Sequence, residues 1–321
     1  MYGAGRNPRG TDVTFVLPWI PVHIPDGFLA TPVWLGFDAL ALPAVALLAR
    51  RAEREFAEAR APLLGVMGAF VFAAQMVNFP VGIGTSAHLV GGALLAITLG
   101  PAAACVVMTA ILAIQAFVFQ DGGILALGAN TVNMAIAGVL AGYLPYHFWG
   151  SGRWRRFAVF SAAAVSVLTA AVMAIGELVV SGIRIPASLL GVSLALFVVS
   201  AIVEGVITLA VVEGIERLSP RLIQTAAPGR SWALAALGAA AVALASCGLL
   251  IASVKPDGLE KLAGELGIAA RATKYFAAPL ADYHAQWLGA SWFAKAAAGL
   301  AGLVLAGGVC FALGAGRKRS A

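Results

Sequence analysis

Long apolar stretches are the feature that most constrains how this chain can fold. A transmembrane helix needs about 20 mostly apolar residues to cross roughly 30 Å of hydrocarbon. Stretches of this kind recur along all 321 residues, of which 61% are hydrophobic and 11% charged. An ordinary soluble domain is about a quarter charged. We therefore predict a multi-pass membrane protein.

Glycine, proline and charge clusters divide the apolar stretches into nine predicted helices. The predicted spans are 32–50, 62–80, 87–99, 102–119, 129–148, 157–181, 187–214, 232–253 and 291–314. The third span is too short for a full crossing, and Pro101 limits its continuation, so we expect a bent element with the fourth. The predicted fold class is all-α, a polytopic transmembrane bundle of about seven helices plus a two-helix C-terminal unit.

The composition shifts between residues 217 and 231, where proline, glycine and polar residues are typical of a linker. We predict a boundary there that separates a seven-helix unit, 22–228, from a two-helix unit, 229–321.

The basic residues predict the orientation in the membrane. Of 21 Lys and Arg residues, 13 fall on one side when the spans alternate, in clusters at 50–60, 153–156, 217–230 and 317–319. Positive loops face the cytoplasm. In an inner or plasma membrane, this places the N-terminus outside and the C-terminus in the cytoplasm. The basic clusters behind the net charge of +6 therefore indicate the orientation of the chain in the membrane rather than a nucleic-acid-binding surface.

Histidines are scarce, and two of the four, His23 and His88, lie in the predicted outward-facing loops. Neutral imidazole is the commonest metal ligand, so the pair indicates a metal site. The alternative is that each is an interfacial histidine bonded to the backbone. His147 is interpreted as part of an interfacial aromatic belt, and His284 stays open as a transient metal contact.

Polar residues in or near apolar spans are costly and indicate function or interhelical hydrogen bonds. They are Asp38, Gln75, Asn78, Gln115, Asn130, Asn133, Glu177, Glu204 and Glu213. Gln75 and Asn78 are three residues apart, so we expect them on one helical face that leads toward His88.

The usual motifs of ATP hydrolysis, zinc proteolysis and serine hydrolysis are missing from the sequence. We therefore expect no enzyme activity, and any ATP-driven work must come from a partner. Cys105, Cys247 and Cys310 stand alone in apolar runs and are expected to be buried structural residues.

Four segments carry a family resemblance. They are HIPDGFL (23–29), FVFAAQMVNFPVGIGTSAHLVGG (70–92), DGGILALGANTVNMAIAG (121–138) and SAIVEGVITLAVVEGIE (200–216). The chain closely resembles the CbiM/NikM family, the substrate-binding membrane subunits of energy-coupling-factor (ECF) importers for cobalt and nickel. The tail resembles the CbiN/NikN companion subunit, as in fused NikMN-type proteins. Its signature is PDGLE, formed by Pro256, Asp257, Gly258, Leu259 and Glu260.

The resemblance implies a set of metal ligands. The family places its first histidine at position 2, where the terminal amine, the backbone nitrogen and the imidazole bind the ion, and a second histidine completes the set. The matching positions are Val22, as a free amine, His23 and His88. Planar nitrogen ligation suits nickel(II). The candidates for orienting these ligands are Asp26, Gln75, Asn78, Thr85, Ser86 and Asn130.

The resemblance further implies a transport subunit. It would capture Ni²⁺ or Co²⁺ as its substrate and depend on a transmembrane coupling subunit and cytoplasmic ATPases. Nickel is favoured because HIPDGFL and the PDGLE tail resemble nickel-type members, and a cobalt importer for cobalamin synthesis is the alternative. The PDGLE loop would help to load metal or serve as a structural cap. From other classes, an ATP-independent secondary transporter and a membrane metalloenzyme remain alternatives.

The sequence departs from this pattern because 21 residues precede Val22, whose nitrogen would then be an amide. Pro18 and Pro21 interrupt this short segment, which lacks an A-x-A cleavage site, so it does not resemble a signal peptide. We expect residues 1–21 to be a non-native extension and translation to start at Val22, encoded as GTG and read as methionine.

Intact-mass measurement of the protein made from its native locus tests this start. We expect a chain that begins Met-His-Ile-Pro. A chain that retains residues 1–21 would contradict both the start and the amine ligand.

Overall fold

The computed structural model describes residues 23–55, 60–82, 85–224, 231–248, 252–253, 255–289 and 292–315. Its helices are α1 (Thr31–Glu55), α2 (Ala61–Gln75), α3 (Gly92–Leu99), α4 (Pro101–Phe119), α5 (Leu127–Trp149), α6 (Arg155–Val180), α7 (Ala187–Leu218), α8 (Arg221–Gln224), α9 (Ser231–Ala243), α10 (Gly258–Glu265) and α11 (Trp292–Ala315). A π-helical turn, Leu244–Gly248, extends α9. Two short strands, β1 (Phe79–Gly82) and β2 (Thr85–Ala87), form an antiparallel hairpin.

The predicted multi-pass helical bundle is confirmed. In the described part of the chain, α1, α4, α5, α6, α7 and α11 are long and apolar enough to cross a membrane. Two shorter apolar helices, α2 and 232–248, match further predicted spans. The short helices α8 and α10 were not predicted.

The bent element formed by α3 and α4 is also confirmed. Gly100 separates the two helices with φ of +88°, a left-handed conformation that glycine adopts readily. Pro101 then begins α4, where a missing backbone N–H costs no helical hydrogen bond. All residues of α3 are buried, so this short helix packs inside the bundle.

The second predicted span is wrong at its end, because α2 stops at Gln75 and the chain enters the β-hairpin. Pro80 disfavours helical geometry at the residue before it and supplies no N–H, so a helix cannot easily run through 80. Asn78 therefore lies beyond the helix, and the predicted face shared by Gln75 and Asn78 does not exist. The hairpin instead delivers the chain to His88, directly after β2.

Several polar side chains form hydrogen bonds or ion pairs between neighbouring helices, which was one of the two expectations for polar residues in apolar spans. The Asp38 carboxylate of α1 accepts a hydrogen bond of 2.8 Å from a backbone N–H of α5. The Asn133 amide of α5 donates to Glu177 of α6 at 3.0 Å. At the far end of α7, Glu213 forms an ion pair of 2.7 Å with Arg156. These bonds fix α1, α5, α6 and α7 against one another.

The C-terminal helix α11 packs closely along α2. A Cβ atom at Gly68 would lie 2.5 Å from Cys310 Sγ, and one at Gly65 would lie 3.0 Å from the Gly307 carbonyl oxygen. Small residues permit this approach, as in other membrane helix pairs. The predicted unit boundary near 228 falls in 225–230, outside the described residues.

The cysteine prediction holds for two of three residues. Cys105 and Cys310 are buried, whereas Cys247 is exposed. Cys247 lies on the outer side of the turn whose inner positions are Ala245 and Gly248.

One cluster of buried apolar side chains connects distant parts of the sequence. It joins Ile24 and Phe28 of the first motif to Leu178 of α6 and to Leu259 and Leu262 of α10. The HIPDGFL segment and the PDGLE helix therefore pack in one layer at the same end of the bundle.

The segment after His88 is anchored by one carboxylate. Glu204 of α7 is 1% exposed, and its two oxygens accept the backbone N–H groups of Val90 and Gly91, each at 2.8 Å. Helix α7 thereby fixes the chain between His88 and α3.

We expect Glu204→Ala to destabilise the bundle because two buried N–H groups lose their acceptor, at about 1–3 kcal/mol for each. Thermal unfolding in detergent should show a clearly lower midpoint. Glu53→Ala, at an exposed position of α1, is the matched control and should leave the midpoint unchanged. Equal midpoints for both variants would contradict the anchoring role.

Candidate metal centre

The structure brings His23 and His88 together. Their ring centroids are 5.8 Å apart with an interplanar angle of 40°, and the side chains are 1% and 3% exposed. Two imidazoles that share one ion through metal–nitrogen bonds of about 2 Å have ring centroids up to about 6 Å apart. The separation is therefore compatible with one shared ion.

The third motif, DGGILALGANTVNMAIAG (121–138), holds the backbone next to His23. The Asn130 side chain accepts a hydrogen bond from Ile24 N at 2.7 Å and donates to Ile24 O at 3.0 Å. The Gly123 backbone N–H donates to the same carbonyl at 2.9 Å. Asn130, a predicted supporting residue, thus fixes the residue that follows the first histidine.

Asp26 makes a second attachment between these motifs. Its carboxylate accepts the backbone N–H groups of Ile124, Leu125 and Ala126 at 3.0, 2.8 and 3.2 Å. Gly27 follows with φ of +92°, the left-handed turn that glycine favours. Asp26 therefore supports the turn and touches neither histidine ring through these bonds.

The second histidine is held by the hairpin and the tail. Ser86 donates from its backbone N–H to Pro256 O at 2.8 Å and from its hydroxyl to Lys255 O at 2.5 Å. Thr85 is fully buried beside it. The predicted neighbours of His88 thus connect it to the PDGLE segment.

The PDGLE segment is the start of α10. Asp257 caps this helix by accepting Glu260 N at 2.8 Å, an arrangement that satisfies an otherwise free N–H. Burial raises the pKa of Asp257 well above its usual value. Leu259 is fully buried, and Gly258 lies against the Phe197 ring of α7. The segment therefore packs against α7 while its Pro256 carbonyl holds the hairpin.

Sequence reasoning missed two residues of the centre, Asp121 and Tyr283. Asp121 Oδ1 lies 2.9 Å from His23 Nδ1, and Asp121 Oδ2 accepts a short hydrogen bond from the Tyr283 hydroxyl. Asp121 opens the third motif, which was a signal for it. Tyr283 precedes His284, and the structure places the tyrosine, rather than half-buried His284, in this group.

A chain of side-chain hydrogen bonds continues from Tyr283 to the segment that follows His88. Gln115 Nε2 donates to the Tyr283 hydroxyl at 3.3 Å and to Gln75 Oε1 at 2.8 Å. Gln75 Nε2 donates to Val90 O at 2.7 Å. Gln75 thus bonds to the segment that follows His88, whereas Asn78 contributes a backbone carbonyl that accepts from Ser253 N.

The hydrogen-bond partners of the two rings show that Nδ1 is the donor in each. His88 Nδ1 lies 2.9 Å from the Leu89 carbonyl, which can only accept, so this nitrogen carries the proton. His23 Nδ1 donates to Asp121 by the same argument. In the described chain, neither Nε2 atom has a hydrogen-bond partner, and both are buried. Burial, with His23 as a further cause, lowers the pKa of His88 to about 4, so its imidazole is neutral.

The described residues offer two candidate ligands at this centre, His23 and His88. Among the described residues, no group of three or more His, Cys, Asp and Glu residues is arranged to hold an ion. Val22, the third implied ligand, lies outside the described residues. Chelation by the backbone nitrogen and imidazole of His23 would close through Nδ1, because Nε2 lies on the far side of the ring. In this structure His23 Nδ1 is bonded to Asp121, and Nε2 is the available nitrogen.

His147 is remote from this group of residues. Its ring contacts Tyr143 and Phe148 at centroid distances of 5.9 and 5.1 Å near the end of α5. These contacts place His147 among aromatic rings, and its position in an interfacial aromatic belt stays a prediction.

Comparison with known proteins supports the family resemblance. Residues 23–222 match the family model CbiM, described as the cobalt uptake substrate-specific transmembrane region. A putative fused nickel transport protein NikMN of Archaeoglobus fulgidus is 41% identical over 65% of this chain and 70% of that protein. The fused nickel transport protein NikMN of Rhodobacter capsulatus is 30% identical over 78% of this chain and 80% of that protein.

Further matches extend to cobalt proteins and to a solved structure. The cobalt transport protein CbiM of Kyrpidia tusciae is 32% identical over 68% of this chain and 94% of that protein. A crystal structure of a transition metal transporter is 31% identical, with a TM-score of 0.53 over 61% of this chain and 92% of that chain. The predicted resemblance is confirmed, and the chain belongs to the CbiM family of metal transport proteins.

Proposed function

We propose that this chain captures a divalent nickel or cobalt ion between His23 and His88 for uptake into the cell. The observation that carries the proposal is the pair of buried imidazoles, 5.8 Å apart between ring centroids, whose Nε2 atoms have no partner in the described chain. A buried polar atom without a partner is costly, so such atoms call for a functional explanation. An ion that accepts both lone pairs removes this cost.

The electrostatics of the centre favour a dication. The neutral His88 ring adds no positive charge. The Asp121 carboxylate, 8% exposed and bonded to His23, places a negative charge next to the ion. Opposite charges interact strongly where water is excluded. Imidazole suits late transition metals, whereas oxygen-rich sites suit magnesium and calcium.

Nickel is favoured over cobalt as the cargo. The Archaeoglobus and Rhodobacter relatives are both named as fused nickel transport proteins, and the Rhodobacter alignment covers 78% of this chain. The family model and the Kyrpidia relative are named for cobalt, which makes cobalt uptake the second candidate.

The remaining ligands would come from the N-terminus. If translation starts at Val22, residues 1–21 are absent and a free amine lies directly before His23. For all of these nitrogens to bind the ion, His23 Nδ1 would have to leave Asp121 and bind the ion instead. Capture by the two Nε2 atoms needs no such change.

We further propose that capture occurs outside the cell and that partners drive uptake. The distribution of basic clusters supports an outward-facing metal centre and a cytoplasmic C-terminus. The sequence carries no phosphate-binding loop, which supports a separate coupling subunit and ATPases of the ECF type. Units 22–228 and 229–321 would correspond to the metal-binding and companion subunits. Uptake by vesicles without ATPase subunits would instead indicate a secondary transporter.

Replacement of either ligand tests the site. We expect His88→Ala and His23→Ala to weaken Ni²⁺ binding by at least about 100-fold, because each removes a nitrogen ligand and ligand-supporting residues alone are worth about 10- to 100-fold. Equilibrium dialysis in detergent, on protein purified without a polyhistidine tag, measures this.

The matched control is His147→Ala, which removes an imidazole far from the centre and should leave Ni²⁺ affinity unchanged. Retention of the original affinity by His88→Ala would remove His88 from the site.

A further inference from the structure

We propose that the turn between α5 and α6 binds the headgroup of an anionic phospholipid. The residues that would hold it are Arg153 and Trp154, with the exposed rings of Trp149 and Phe157 on either side of the turn, and we call these four residues the headgroup site. The headgroup site lies at the end of the bundle opposite the candidate metal centre and is independent of it.

The position of the headgroup site follows from the length of α5. This helix begins at Leu127, three residues before Asn130 of the candidate metal centre, and ends at Trp149. Its 23 residues span about 35 Å at about 1.5 Å per residue, which is close to the thickness of the hydrocarbon layer. Trp149 and the turn that follows it therefore lie near the lipid headgroups on the side of the membrane opposite the centre.

Arg155, the first residue of α6, holds the turn in one conformation. Its Nη1 donates to the Tyr146 hydroxyl at 2.8 Å and to the Gly150 carbonyl oxygen at 2.7 Å, and its Nη2 pairs with Glu216 of α7. Its guanidinium carbon also lies 5.2 Å from the centroid of the Tyr146 ring. The turn is thus attached to α5 and α7, and a ligand binds more tightly where it does not have to order the protein first.

Neighbouring arginines are paired with glutamates, whereas Arg153 is not. Arg156 lies 2.7 Å from Glu213, which also lies 3.9 Å from Arg217. Within the described part of the chain, Arg153 has no carboxylate at ion-pair distance, and its guanidinium carbon lies 5.3 Å from the centroid of the Trp154 ring. A guanidinium can bind a phosphate through two N–H groups at once. The charge of Arg153 is therefore available to an anion.

Exposed aromatic rings lie on both sides of this charge along the chain. Trp154 and Phe157 are 53% and 56% exposed with ring centroids 6.2 Å apart, and Trp149 is 51% exposed. Tryptophan is enriched at membrane interfaces because its ring is largely apolar and its N–H is polar. A phospholipid suits this combination, since its phosphate can pair with Arg153 while its acyl chains cover the rings.

The net charge at this end of the bundle also favours an anionic lipid. Helix α1 follows the first motif and ends at Glu55, and the end of α7 is paired with α6, so three segments meet here. Residues 50–55, 153–156 and 213–217 carry seven arginines and four glutamates. Basic clusters next to membrane spans attract anionic headgroups. The headgroup site therefore lies in a positively charged region.

Native mass spectrometry of the full chain in detergent tests the site. We expect phosphatidylglycerol to be retained in preference to phosphatidylcholine. Arg153→Gln should lower this preference about fivefold, the contribution of one basic side chain near anionic headgroups. Trp154→Leu should lower it about two- to fivefold, the range for an exposed cation–π pair.

The matched controls are Arg184→Gln and Trp287→Leu, which remove an exposed charge beyond the other end of α6 and an exposed ring in the tail. Both should keep the preference of the unaltered chain. Equal losses in the controls and in the turn variants would overturn the proposal, because the effect would then come from charge or apolar surface in general.

Competition distinguishes a lipid from other anionic ligands. Inorganic phosphate should not displace phosphatidylglycerol, because it offers nothing to the aromatic rings. Displacement by inorganic phosphate would overturn the assignment to a lipid. Unchanged phosphatidylglycerol retention in Arg153→Gln would also overturn it and would leave this charge to an acidic protein partner.

A measurement on the unaltered chain covers the case in which a variant does not fold. In vesicles, phosphatidylglycerol with brominated acyl chains should quench the tryptophan fluorescence more strongly than brominated phosphatidylcholine does at the same bromine content. Equal quenching by the two lipids would overturn the proposal without any substitution.

Discussion

The buried carboxylate of Asp121 connects the parts of this protein that meet at the candidate metal centre. A charge removed from water is costly unless hydrogen-bonded partners replace the water. Asp121 obtains such partners from opposite ends of the chain, His23 in the first motif and Tyr283 in the tail. The arrangement of this carboxylate therefore depends on both the N-terminal segment and the C-terminal unit.

The rest of the centre follows from backbone attachments to fixed helices. The first motif is held on the third, because the Asn130 side chain bonds to the backbone of Ile24 and the Asp26 carboxylate accepts from Leu125 N. The second motif is held from two directions, by Glu204 of α7 and by the Pro256 carbonyl of the tail. Neither histidine lies within a long helix, so these attachments determine where the two rings meet. Each ring is bonded through Nδ1, and within the described residues neither Nε2 atom has a partner.

Much of the fold could be predicted from the sequence, because the length of an apolar run and the position of prolines are local properties. The spans of α4, α6 and α11 needed no knowledge of their neighbours, and Pro101 located the bend after α3. The end of α2 was misjudged because apolar residues continue past Gln75, although Pro80 was a signal against a helix. The hairpin was missed because strand pairing depends on contacts between residues rather than on composition.

The centre itself could be predicted only in part. The histidines and the motifs around them are visible in the sequence, but Asp121 and Tyr283 are 162 residues apart and meet through packing of the tail on α4 and α2. Asn78 seemed equivalent to Gln75 by helical spacing, yet the chain leaves the helix between them. Tyr283 carries no sequence signal for its contact with Asp121, since that contact depends on packing of its ring against Phe119.

X-ray absorption spectroscopy of the Ni²⁺-loaded chain, purified without a polyhistidine tag, tests the central claim most directly. The account predicts nitrogen neighbours at about 2 Å and the outer scattering of two imidazole rings. It also predicts that the scattering of one ring disappears in any metal retained by His88→Ala. A shell of oxygen neighbours without imidazole scattering in the wild-type protein would contradict it.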